Sequence, residues 1–440
     1  HLLKGASLVV ADADDDLALI AAIAGVPVEG VGEGRFASLT GAKSDAATLR
    51  ALFRAHLVDG LHYLDVFSGM PATLAQAIEQ VAFWRALIDG NRGIEAAMGF
   101  APWKRASVAP LLWNGEPVRF LGKVDSLACG AEVAIWRSRC APALLDELER
   151  LGATTIEVED GFVRSEGLGA DCVPPLSIVV DRRGAHFDPR SPSDLEEILR
   201  SHDFPAALTA RARRLREVIV AAGVSKYGTG QATLERPTTG RHVLVPGQVE
   251  DDRSVMSGGG AITTNIALLR RARDLEPDAF ITYKPHPDVE AGHRIGAIPD
   301  ALCLTLADRI VRDEPISALI DSADDLHVNT SLAGFEALLR GKAVTTHGVP
   351  FYAGWGLTRD LGPVPERRDV TRSLDELVAA VLLLYPRYLD PITGLPCPPE
   401  VLIDRLSRPA TLPRDGLLVK LRRLQGLGKR MVAATRGSRS

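Results

Sequence analysis

The sequence has few aromatic residues, few cysteines and no long apolar run. Phe, Trp and Tyr make up 5% of the 440 residues, and basic residues are not interleaved with them, which argues against nucleic acid as a partner. The five cysteines form no C-x-x-C pair and their odd number fits no disulfide framework, so we expect a reducing, cytoplasmic location. No apolar stretch approaches the ~20 residues that cross a bilayer, and the acidic first residues do not resemble a signal peptide.

Several short motifs of known enzymes are absent as well. There is no G-x-S-x-G sequence and no cysteine with papain-like flanks, so neither kind of nucleophile is predicted. The loop "VPGQVEDDRSVMSGGG" is rich in glycine but fits neither G-x-G-x-x-G nor G-x-x-x-x-G-K-[ST]. Asp251 and Asp252 stand there without a histidine at ligand spacing, so we expect no metal and no cofactor. A glycine-rich loop before a helix still favours anion binding, which makes Gln248 a candidate substrate-binding residue.

The remaining composition and pattern indicate a globular α/β protein. Hydrophobic residues make up 46% and charged residues 24% of the chain, as in ordinary globular domains, and the net charge of −5 argues against a polyanion as partner. Segments typical of strands, such as "TTIEVED" and "LSIVVD", alternate with helical segments, which predicts parallel sheets. Two such series, joined near residues 234–242, predict two Rossmann-like domains facing across a cleft. This is the GT-B arrangement, although other two-domain α/β proteins share it.

An internal repeat connects the two ends of the chain. The segment "HYLDVFSGMPATLAQAIEQV" (62–81) matches "RYLDPITGLPCPPEVLIDRL" (387–406). Either two turn-then-helix segments resemble each other by chance, or the first segment closes an upstream module as the second closes this one. The second interpretation agrees with a chain that begins at His1, although a trimmed chain would begin in the same way. The aligned pairs are Tyr63 and Tyr388, Leu64 and Leu389, Asp65 and Asp390, Gly69 and Gly394, and Pro71 and Pro396.

The first candidate site is the segment "VEDGFVRSEGLG" (158–169). Glu159 and Asp160 end a predicted strand and are followed at once by Gly161. Parallel α/β sheets usually place their chemistry at the carboxyl ends of strands, and glycine lets the backbone turn close to a ligand. The pair therefore predicts a nucleophile or a general base, although a solvated acidic turn would read in the same way.

The second candidate site is "YKPHPDV", where His286 follows an apolar strand and lies between two prolines. The prolines fix the backbone on both sides, which makes a rigid mount for an imidazole. Lys284 lies two residues earlier and shares a strand face with His286. Together with Pro287 they predict a phosphate-binding segment, unless His286 is a structural histidine.

The third candidate site is "VNTSLAGFEALLRG", where a strand gives way to a helix. The hydroxyl groups of Thr330 and Ser331, with Asn329 and the first amides of the helix, can hold a phosphate. Glu336 lies one turn further on and could reach a ribose. The alternative is simple N-capping by Thr330 or Ser331.

These segments together give the chain a family resemblance. "VEDGFVRSEGLG", "KPHPDV", "NTSLAGFEALLRG" and "PFYAGWGLT" occur in this order and resemble the capsule polysaccharide biosynthesis proteins of the KpsC/KpsS type, over residues 60–410. That family consists of cytoplasmic, retaining β-Kdo transferases of GT-B type that use CMP-Kdo. An acidic pair plus glycine, followed far downstream by His-Pro, also resembles bacterial sialyltransferases, which use CMP-activated 2-keto sugar acids too. KpsC-type proteins carry two transferase modules in tandem, which agrees with the repeat.

The resemblance implies a division of the chain into four segments. Residues 1–110 would close an upstream module and continue as a helical linker. Residues 111–236 would form an N-terminal Rossmann-like domain with the catalytic carboxylate, on the acceptor side. Residues 237–385 would form a C-terminal Rossmann-like domain that binds the CMP-sugar, and residues 386–440 would add C-terminal helices and a basic tail.

The resemblance also implies roles for the candidate residues. Retention by double displacement needs a carboxylate nucleophile, for which Asp160 is the candidate. Glu159 would either point away or tune Asp160, because adjacent strand residues point to opposite faces. If the reaction inverted, Asp160 would instead be the general base. Arg164 would pair with the carboxylate of Kdo, and Lys284 and His286 would neutralise the leaving CMP. The alternatives are a sialyltransferase-like enzyme and a non-catalytic scaffold of capsule assembly.

The last segment, "PRDGLLVKLRRLQGLGKRMVAATRGSRS", is basic. From Arg414 onward it has eight basic residues and one acid, with leucines falling roughly on one helical face. It predicts either a solvated terminal helix or a peripheral anchor on an anionic membrane. The resemblance favours the anchor, because the implied acceptor is a Kdo-bearing phospholipid at the cytoplasmic face of the inner membrane.

Overall fold

A computed structural model describes residues 3, 5–41, 45–165, 172–225, 228–229, 240–292 and 294–408. The chain divides into two compact units, His1–Arg85 and Ala86–Ser440. The basic tail that the sequence proposes as an anchor lies outside the described residues, and so does Glu166 of the first candidate site. In the part of the chain that is described, no helix has both the length and the apolar character that a membrane crossing requires.

The secondary structure alternates between strands and helices along most of the chain. The strands are β1 Val9–Asp12, β2 Val28–Val31, β3 Tyr63–Leu64, β4 Pro71–Ala72, β5 Ile94–Met98, β6 Phe120–Leu121, β7 Glu132–Ile135, β8 Thr154–Asp160, β9 Ser177–Asp181, β10 Val224–Ser225, β11 Gly228–Thr229, β12 His242–Pro246, β13 Phe280–Lys284, β14 Arg309–Ile310, β15 Asp325–Val328, β16 Ala343–Thr346, β17 Arg359–Asp360, β18 Pro386–Leu389 and β19 Pro396–Cys397.

The helices connect these strands. They are α1 Asp16–Ile23, α2 Ala46–Leu57, α3 Leu74–Asn91, α4 Pro102–Leu112, α5 Pro142–Arg150, α6 Asp194–Ser201, α7 Ala206–Ala221, α8 Arg253–Gly258, α9 Asn265–Leu275, α10 Pro287–Glu290, α11 Asp300–Cys303, α12 Ile316–Ser322, α13 Leu332–Leu339, α14 Leu374–Val378 and α15 Pro399–Ser407, with 3-10 turns at Ala37–Leu39 and Arg137–Arg139 and a π-helical stretch at Ala379–Leu384.

The smaller unit is built around two parallel strands. β1 pairs with β2 in parallel register, and α1 connects them as a crossover helix. The core consists of apolar side chains from α1, β2 and the 3-10 turn, with Phe36 and Leu39 fully buried. An antiparallel hairpin, β3 with β4, follows before α3 begins.

The larger unit contains an entirely parallel six-stranded sheet. Its strand order is β14-β13-β12-β15-β16-β17, so the chain starts in the middle, winds to one edge and then crosses to the other. In such doubly wound sheets the order reverses between two neighbouring strands, and ligands bind outside the carboxyl ends at that point. Here the reversal lies between β12 and β15, which are followed by Gln248 and by Asn329.

The second sheet of the larger unit has seven strands in the order β19-β18-β9-β8-β7-β5-β6. β5 to β8 are parallel, whereas β9 is antiparallel to β8 and β18 is antiparallel to β9. The prediction of parallel sheets is therefore confirmed for the six-stranded sheet. It is wrong for the part of the seven-stranded sheet formed by β9, β18 and β19, which pair in antiparallel fashion. An antiparallel neighbour needs no crossover helix, and β18 and β19 join β9 from the far end of the unit.

Apolar side chains hold each sheet to its helices. The six-stranded sheet packs Val243, Val245 and Ile281 against Leu268 and Leu269 of α9. The seven-stranded sheet packs residues of β5, β7, β8 and β9 against α4. The strand at Ile94–Met98 was not identified from sequence, although four of its five residues are buried or nearly so.

The repeat found in the sequence is confirmed as a repeated backbone. β3–β4 and β18–β19 pair in the same register, Tyr63 with Ala72 and Tyr388 with Cys397. In each copy the tyrosine hydroxyl donates to the carbonyl oxygen six residues earlier. In each, the aspartate carboxylate accepts backbone N–H groups two and three residues later. Gly69 and Gly394 have φ of 68° and 70°, a left-handed conformation that glycine adopts without strain.

Candidate active site

Asp160 is the last residue of β8 and lies between two cationic side chains. Its Oδ1 is 3.2 Å from Nζ of Lys104, and its Oδ2 is 2.9 Å from Nε of Arg164. Burial lowers the pKa of Lys104 to about 8, although the attraction of Asp160 opposes the change. Two cations in contact favour the ionised carboxylate, and the side chain of Asp160 remains 26% exposed. The arrangement can therefore present a charged carboxylate to a ligand.

Arg164 and Lys104 differ in how they are held. Arg164 is fully buried, and its terminal nitrogens donate to Ser165 Oγ and to the carbonyl oxygen of Val173, both at 2.7 Å. The ammonium group of Lys104 lies 3.3 Å from the ring centre of Trp136, a cation–π contact. All three guanidinium nitrogens of Arg164 thus lie against groups of this chain, and its expected role with a substrate carboxylate stays a prediction.

Glu159 points to the face of β8 opposite to that of Asp160, because successive residues of a strand point to opposite faces. It shares that face with Glu157, and both bind the guanidinium group of Arg253, at 2.8 Å and 3.1 Å. Glu157 also pairs with Arg137. Burial raises the pKa of Glu159 to about 7, with Arg253 opposing the rise and the neighbouring Asp160 adding to it. Glu159 is thus suited to gain and lose a proton near neutral pH.

Gly161 follows Asp160 for a packing reason. A Cβ at this position would lie 2.2 Å from Oγ of Ser177 on β9, and the backbone N–H of Gly161 donates to the carbonyl oxygen of Ser177 at 3.0 Å. Because glycine has no side chain, the backbone at the end of β8 can pass close to Ser177 of β9. Close approach to a ligand, which the motif predicts for this glycine, stays a prediction.

At the reversal point of the six-stranded sheet, uncharged polar groups form a network. The side-chain amide of Gln248 donates to Thr330 Oγ1, and its oxygen accepts the backbone N–H of Thr330, both at 2.9 Å. Asn265 holds the backbone of Gln248 from the other side, at 2.8 Å and 2.7 Å, and the amide of Asn329 donates to the carbonyl oxygen of Ile262. A small cavity opens beside Gln248 and Asn329.

Two consecutive residues of α8 connect this network to the acidic end of β8. Arg253 binds Glu159, and the hydroxyl group of Ser254 lies 3.4 Å from that of Thr330. Arg253 also lies over the ring of Phe187, 4.8 Å from its centre. The first and third predicted sites are therefore brought together, and the first turn of α8 is the piece of chain that joins them.

The second predicted site adjoins the network through the next strand of the sheet. His286 caps α10, since its Nδ1 accepts the backbone N–H of Asp288 at 3.1 Å. The accepting role of Nδ1 assigns the ring proton to Nε2, which is then a donor. Lys284 donates to the carbonyl oxygen of Arg312 at 2.9 Å, and burial lowers its pKa, against the attraction of nearby acids. Pro287 is the first residue of α10.

Ser331 and Glu336 belong to α13. The Ser331 hydroxyl caps the helix by accepting the backbone N–H of Ala333 at 3.2 Å, so the capping alternative is confirmed for this residue. The backbone N–H of Gly334 donates to the carbonyl oxygen of Ser331 at 3.2 Å, so an anion at this end of α13 would meet the amide of Leu332 and the positive end of the helix dipole. Glu336 is buried within the helix, with 7% exposure.

Two acidic residues near α8 interact with other groups of this chain. Asp252 caps α8, and Asp251 pairs with Arg294 at 2.9 Å. Among the described residues, one group has the spacing of metal ligands, namely Glu276, Asp325 and His327. It lies near the amino end of β15, away from the network, and a guanidinium group, that of Arg241, pairs with both of its carboxylates.

Sequence reasoning does not identify Lys104 or Arg253. A signal for both exists in hindsight, because each lies in the first turn of a helix, where the helix dipole favours acids over cations. Pro102 at the start of α4 and Asp252 at the start of α8 mark those turns. A cation in that position is explained once a carboxylate from elsewhere is found beside it.

Comparison with known proteins gives concordant matches. Residues 146–388 match the family model described as capsule polysaccharide biosynthesis protein. The capsule polysaccharide modification protein LipA of Neisseria meningitidis is 39% identical over 353 residues, which cover 78% of this chain and 50% of LipA. The lipopolysaccharide-processing protein LpsZ of Rhizobium meliloti is 48% identical over 236 residues, 52% of this chain and 53% of LpsZ. The chain thus spans about half the length of these curated relatives.

Two solved structures are similar over almost their whole length. Both are of KpsC from Thermosulfurimonas dismutans. The first, a beta Kdo 2,7 transferase, is 35% identical with a TM-score of 0.59, and the match covers 72% of this chain and 99% of that one. The second, a beta Kdo 2,4 transferase, is 30% identical with a TM-score of 0.61, covering 71% and 98%.

Proposed function

Because the chain belongs to the capsule polysaccharide biosynthesis protein family, we propose that it is a glycosyltransferase of GT-B type. It moves Kdo from CMP-β-Kdo to a Kdo-bearing phospholipid with retention, and so builds the β-Kdo linker of a capsular polysaccharide. The observation that carries the proposal is the carboxylate of Asp160 at a strand end, between Lys104 and Arg164. Arg253 and Ser254 join this carboxylate to an uncharged network at the reversal point of a parallel sheet. The similarity to two Kdo transferases supports the same assignment.

The donor binds along the six-stranded sheet. The phosphate of CMP accepts hydrogen bonds from Nε2 of His286 and from the first amides of α13, and Gln248, Asn329 and Thr330 contact the nucleotide. Lys284 and Pro287 shape that end of the site, and Glu336 lies toward the ribose. The leaving group is an anion that needs stabilisation rather than protonation. Nε2 of His286 and the helix amides supply this stabilisation as hydrogen-bond donors.

The first chemical step is attack by Asp160. One carboxylate oxygen forms a bond to the anomeric carbon of Kdo, while the bond from that carbon to the phosphate oxygen breaks and its electron pair leaves with CMP. The product is a glycosyl ester of Asp160. The two cations that hold Asp160 keep it ionised and aimed before the attack.

The second step returns Asp160 to its ionised form. The hydroxyl oxygen of the acceptor attacks the anomeric carbon, the ester bond breaks with its electron pair on Asp160, and the hydroxyl proton goes to a base. Glu159, with its pKa raised to about 7, points to the face of β8 opposite to Asp160, so it takes that proton through a bridging water. If the reaction proceeds with inversion instead, Asp160 itself accepts the acceptor proton.

A second candidate is transfer of another CMP-activated 2-keto acid, such as sialic acid, which the acidic pair and the His-Pro segment would also serve. The test is turnover of CMP-Kdo against CMP-sialic acid by the purified chain, with a Kdo-bearing acceptor and the anomeric configuration read by NMR. We expect β-Kdo product with CMP-Kdo and none with CMP-sialic acid. Product only with CMP-sialic acid would favour the second candidate, and no product with either would favour a non-catalytic scaffold.

The proposed acceptor also gives a role to the basic tail, residues 414–440, as an anchor on the cytoplasmic face of the inner membrane. Co-sedimentation with anionic vesicles at low salt, with and without these residues, tests the role. We expect pelleting only with the tail. Equal pelleting of both forms, or none with the complete chain, contradicts it.

A further inference from the structure

The charges around Asp160 do not balance among the residues that the structure describes. Lys104 and Arg164 each contact one oxygen of the Asp160 carboxylate, so that two cations meet one anion. The ammonium and guanidinium groups are both nearly or fully buried. Buried charges in proteins are normally paired, because an unpaired charge loses its hydration without compensation.

On the other face of the same strand, by contrast, the charges are equal in number. There Glu157 and Glu159 meet two guanidinium groups, those of Arg137 and Arg253, and the count is even. Among the described residues, the excess of one positive charge therefore lies on the side of Asp160; Glu166 and Asp171, which follow Arg164 in the sequence, are outside that count. It identifies this side as a place for one further anion.

The chemistry of the proposed donor supplies such an anion. Kdo is a 2-keto sugar acid, and its carboxylate is bonded directly to the anomeric carbon. A nucleophile in position to attack lies about 3–3.5 Å from that carbon. The sugar carboxylate then comes close to the carboxylate of Asp160, and the two repel each other unless a cation lies between them.

The two cations differ in their capacity to hold the sugar carboxylate. Two nitrogens of the Arg164 guanidinium group donate to Ser165 and Val173, and Nε lies 2.9 Å from Asp160 without a hydrogen bond to it. The side chain has no exposed surface, so a ligand does not reach the guanidinium group. The ammonium group of Lys104 has three N–H donors, of which one is directed to Asp160. The ring of Trp136 supports the ammonium from one side without using a donor.

We propose that Lys104 binds the carboxylate of the transferred sugar and thereby selects 2-keto sugar acids over neutral sugars. The inference rests on the proposed function, because it takes Asp160 as the group that attacks the anomeric carbon. It assigns to Lys104 the role that the sequence suggested for Arg164. It also explains a lysine in the first turn of α4, where the amides and the helix dipole favour an anion as well.

Binding of free Kdo against its methyl ester tests the proposal without turnover. The two probes share the sugar ring and differ in the charge of the carboxyl group. Dissociation constants come from ligand-observed NMR titrations of the full chain. Wild type should prefer Kdo at least about tenfold, the size of one charge-assisted hydrogen bond. In Lys104→Met the preference should fall to about one.

A matched variant controls for charge and folding. Lys104→Arg keeps the cation and should keep a preference for Kdo over the ester. Thermal unfolding of both variants shows whether they fold, and Lys104→Gln replaces Lys104→Met if the methionine variant does not. A Lys104→Met protein that keeps the wild-type preference, or a wild-type protein without any preference, overturns the assignment.

Turnover separates this inference from the proposed function. If wild type transfers Kdo from CMP-Kdo and Lys104→Met does so with an unchanged KM for the donor, Lys104 does not bind the carboxylate although the proposed function stands. If Kdo is preferred over its ester through Lys104 but no Kdo is transferred from CMP-Kdo, the proposed function fails and the carboxylate site remains.

Discussion

The acidic end of β8 and the network at β12 and β15 are two parts of one site with opposite electrostatics. At β8, carboxylates of Glu159 and Asp160 lie against lysine and arginine side chains, and burial raises the pKa of Glu159 to about 7. At the six-stranded sheet, the amides and hydroxyls of Gln248, Asn329 and Thr330 bind one another. Charged groups in a partly buried place change their energy strongly when a reaction moves charge. Uncharged groups hold a ligand with little dependence on pH. The first part should therefore govern the rate of the chemical step and the choice of sugar acid, and the second part the affinity for the nucleotide.

The largest effect should come from Asp160→Asn. The amide keeps the shape of the side chain but cannot form the glycosyl ester, so kcat should fall by at least about a thousandfold. The KM for the donor should change much less. Steady-state kinetics with CMP-Kdo measure both.

Asp251→Asn is the matched control for that change. Asp251 forms a surface ion pair with Arg294, so its loss should leave kcat and the unfolding temperature near those of wild type. Wild-type-like turnover by Asp160→Asn with an intact fold would remove Asp160 from the chemistry and end the division between the two parts.

Arg253→Gln should have the next largest effect, because it cuts the connection between the parts. Removing the guanidinium group leaves Glu157 and Glu159 without one cation, which should lower the free energy of unfolding by about 2–3 kcal/mol. Misplacement of α8 should lower kcat/KM by about tenfold to a hundredfold. Arg190→Gln, at a largely exposed side chain beside α8, should change stability by less than about 0.5 kcal/mol.

His286 tests the affinity side. His286→Ala should raise the dissociation constant of CMP about tenfold or more, because it removes a hydrogen bond to an anionic phosphate. His286→Asn keeps the cap of α10, since asparagine accepts the same backbone N–H, but lacks the donor at Nε2. If the asparagine variant binds CMP as wild type does, the histidine is a helix cap and has no phosphate role.

Glu159→Gln should change how the free energy of unfolding depends on pH. Because the pKa of Glu159 is raised from 4.5 to about 7 in the folded protein, the native state binds its proton more tightly than the unfolded chain. Its contribution to stability is fully present below about pH 4.5 and is lost as pH rises through about 7, by up to roughly 3 kcal/mol. Glutamine does not titrate, so the variant should gain stability relative to wild type across this range.

Denaturant unfolding of wild type and Glu159→Gln at several values between pH 5 and 8 measures that difference. A difference that does not vary with pH would contradict the raised pKa. In the same series, kcat of wild type should rise with pH through about 7 if Glu159 accepts the acceptor proton, and the variant should lose that rise.

The smallest effect should be that of Gln248→Ala. The substitution removes both hydrogen bonds to Thr330 and leaves a buried N–H without its partner, which costs about 1–3 kcal/mol of stability. The KM for CMP-Kdo should rise a few-fold, with kcat nearly unchanged and no new dependence on pH. A fall in kcat larger than the rise in KM would show that the uncharged part also takes part in the chemistry.

The sequence was sufficient for the elements that are encoded locally. Strand β8, the cap of α13 and the alternation of strands and helices follow from short patterns, and the sequence predicts them. The antiparallel return of β9 and the addition of β18 were not, because pairing between distant segments leaves no local trace when a strand has two covered faces. Ile94–Met98 is one such short apolar segment.

The candidate site divides in the same way. Asp160, Gln248, His286 and Thr330 are recognisable because each follows a strand at the edge where ligands bind. The cations that pair with Asp160 and Glu159 are harder to identify, since Lys104 and Arg253 come from helices distant in sequence from β8 and are explained by tertiary contacts. The reasons for Gly161 and Arg164 likewise came from their neighbours, Ser177 and Val173, rather than from the motif.

The repeated hairpin has a consequence for protein design. Leu64 is 65% exposed in one copy and Leu389 is 5% exposed in the other, yet register, turn and hydrogen bonds are the same. A backbone that is the same in exposed and in buried surroundings must be specified by its own tyrosine, aspartate and glycine. Either segment, 63–72 or 388–397, should therefore keep its hairpin structure when it is transferred to another protein. It should do so ahead of a helix at a solvent-exposed or at a buried position.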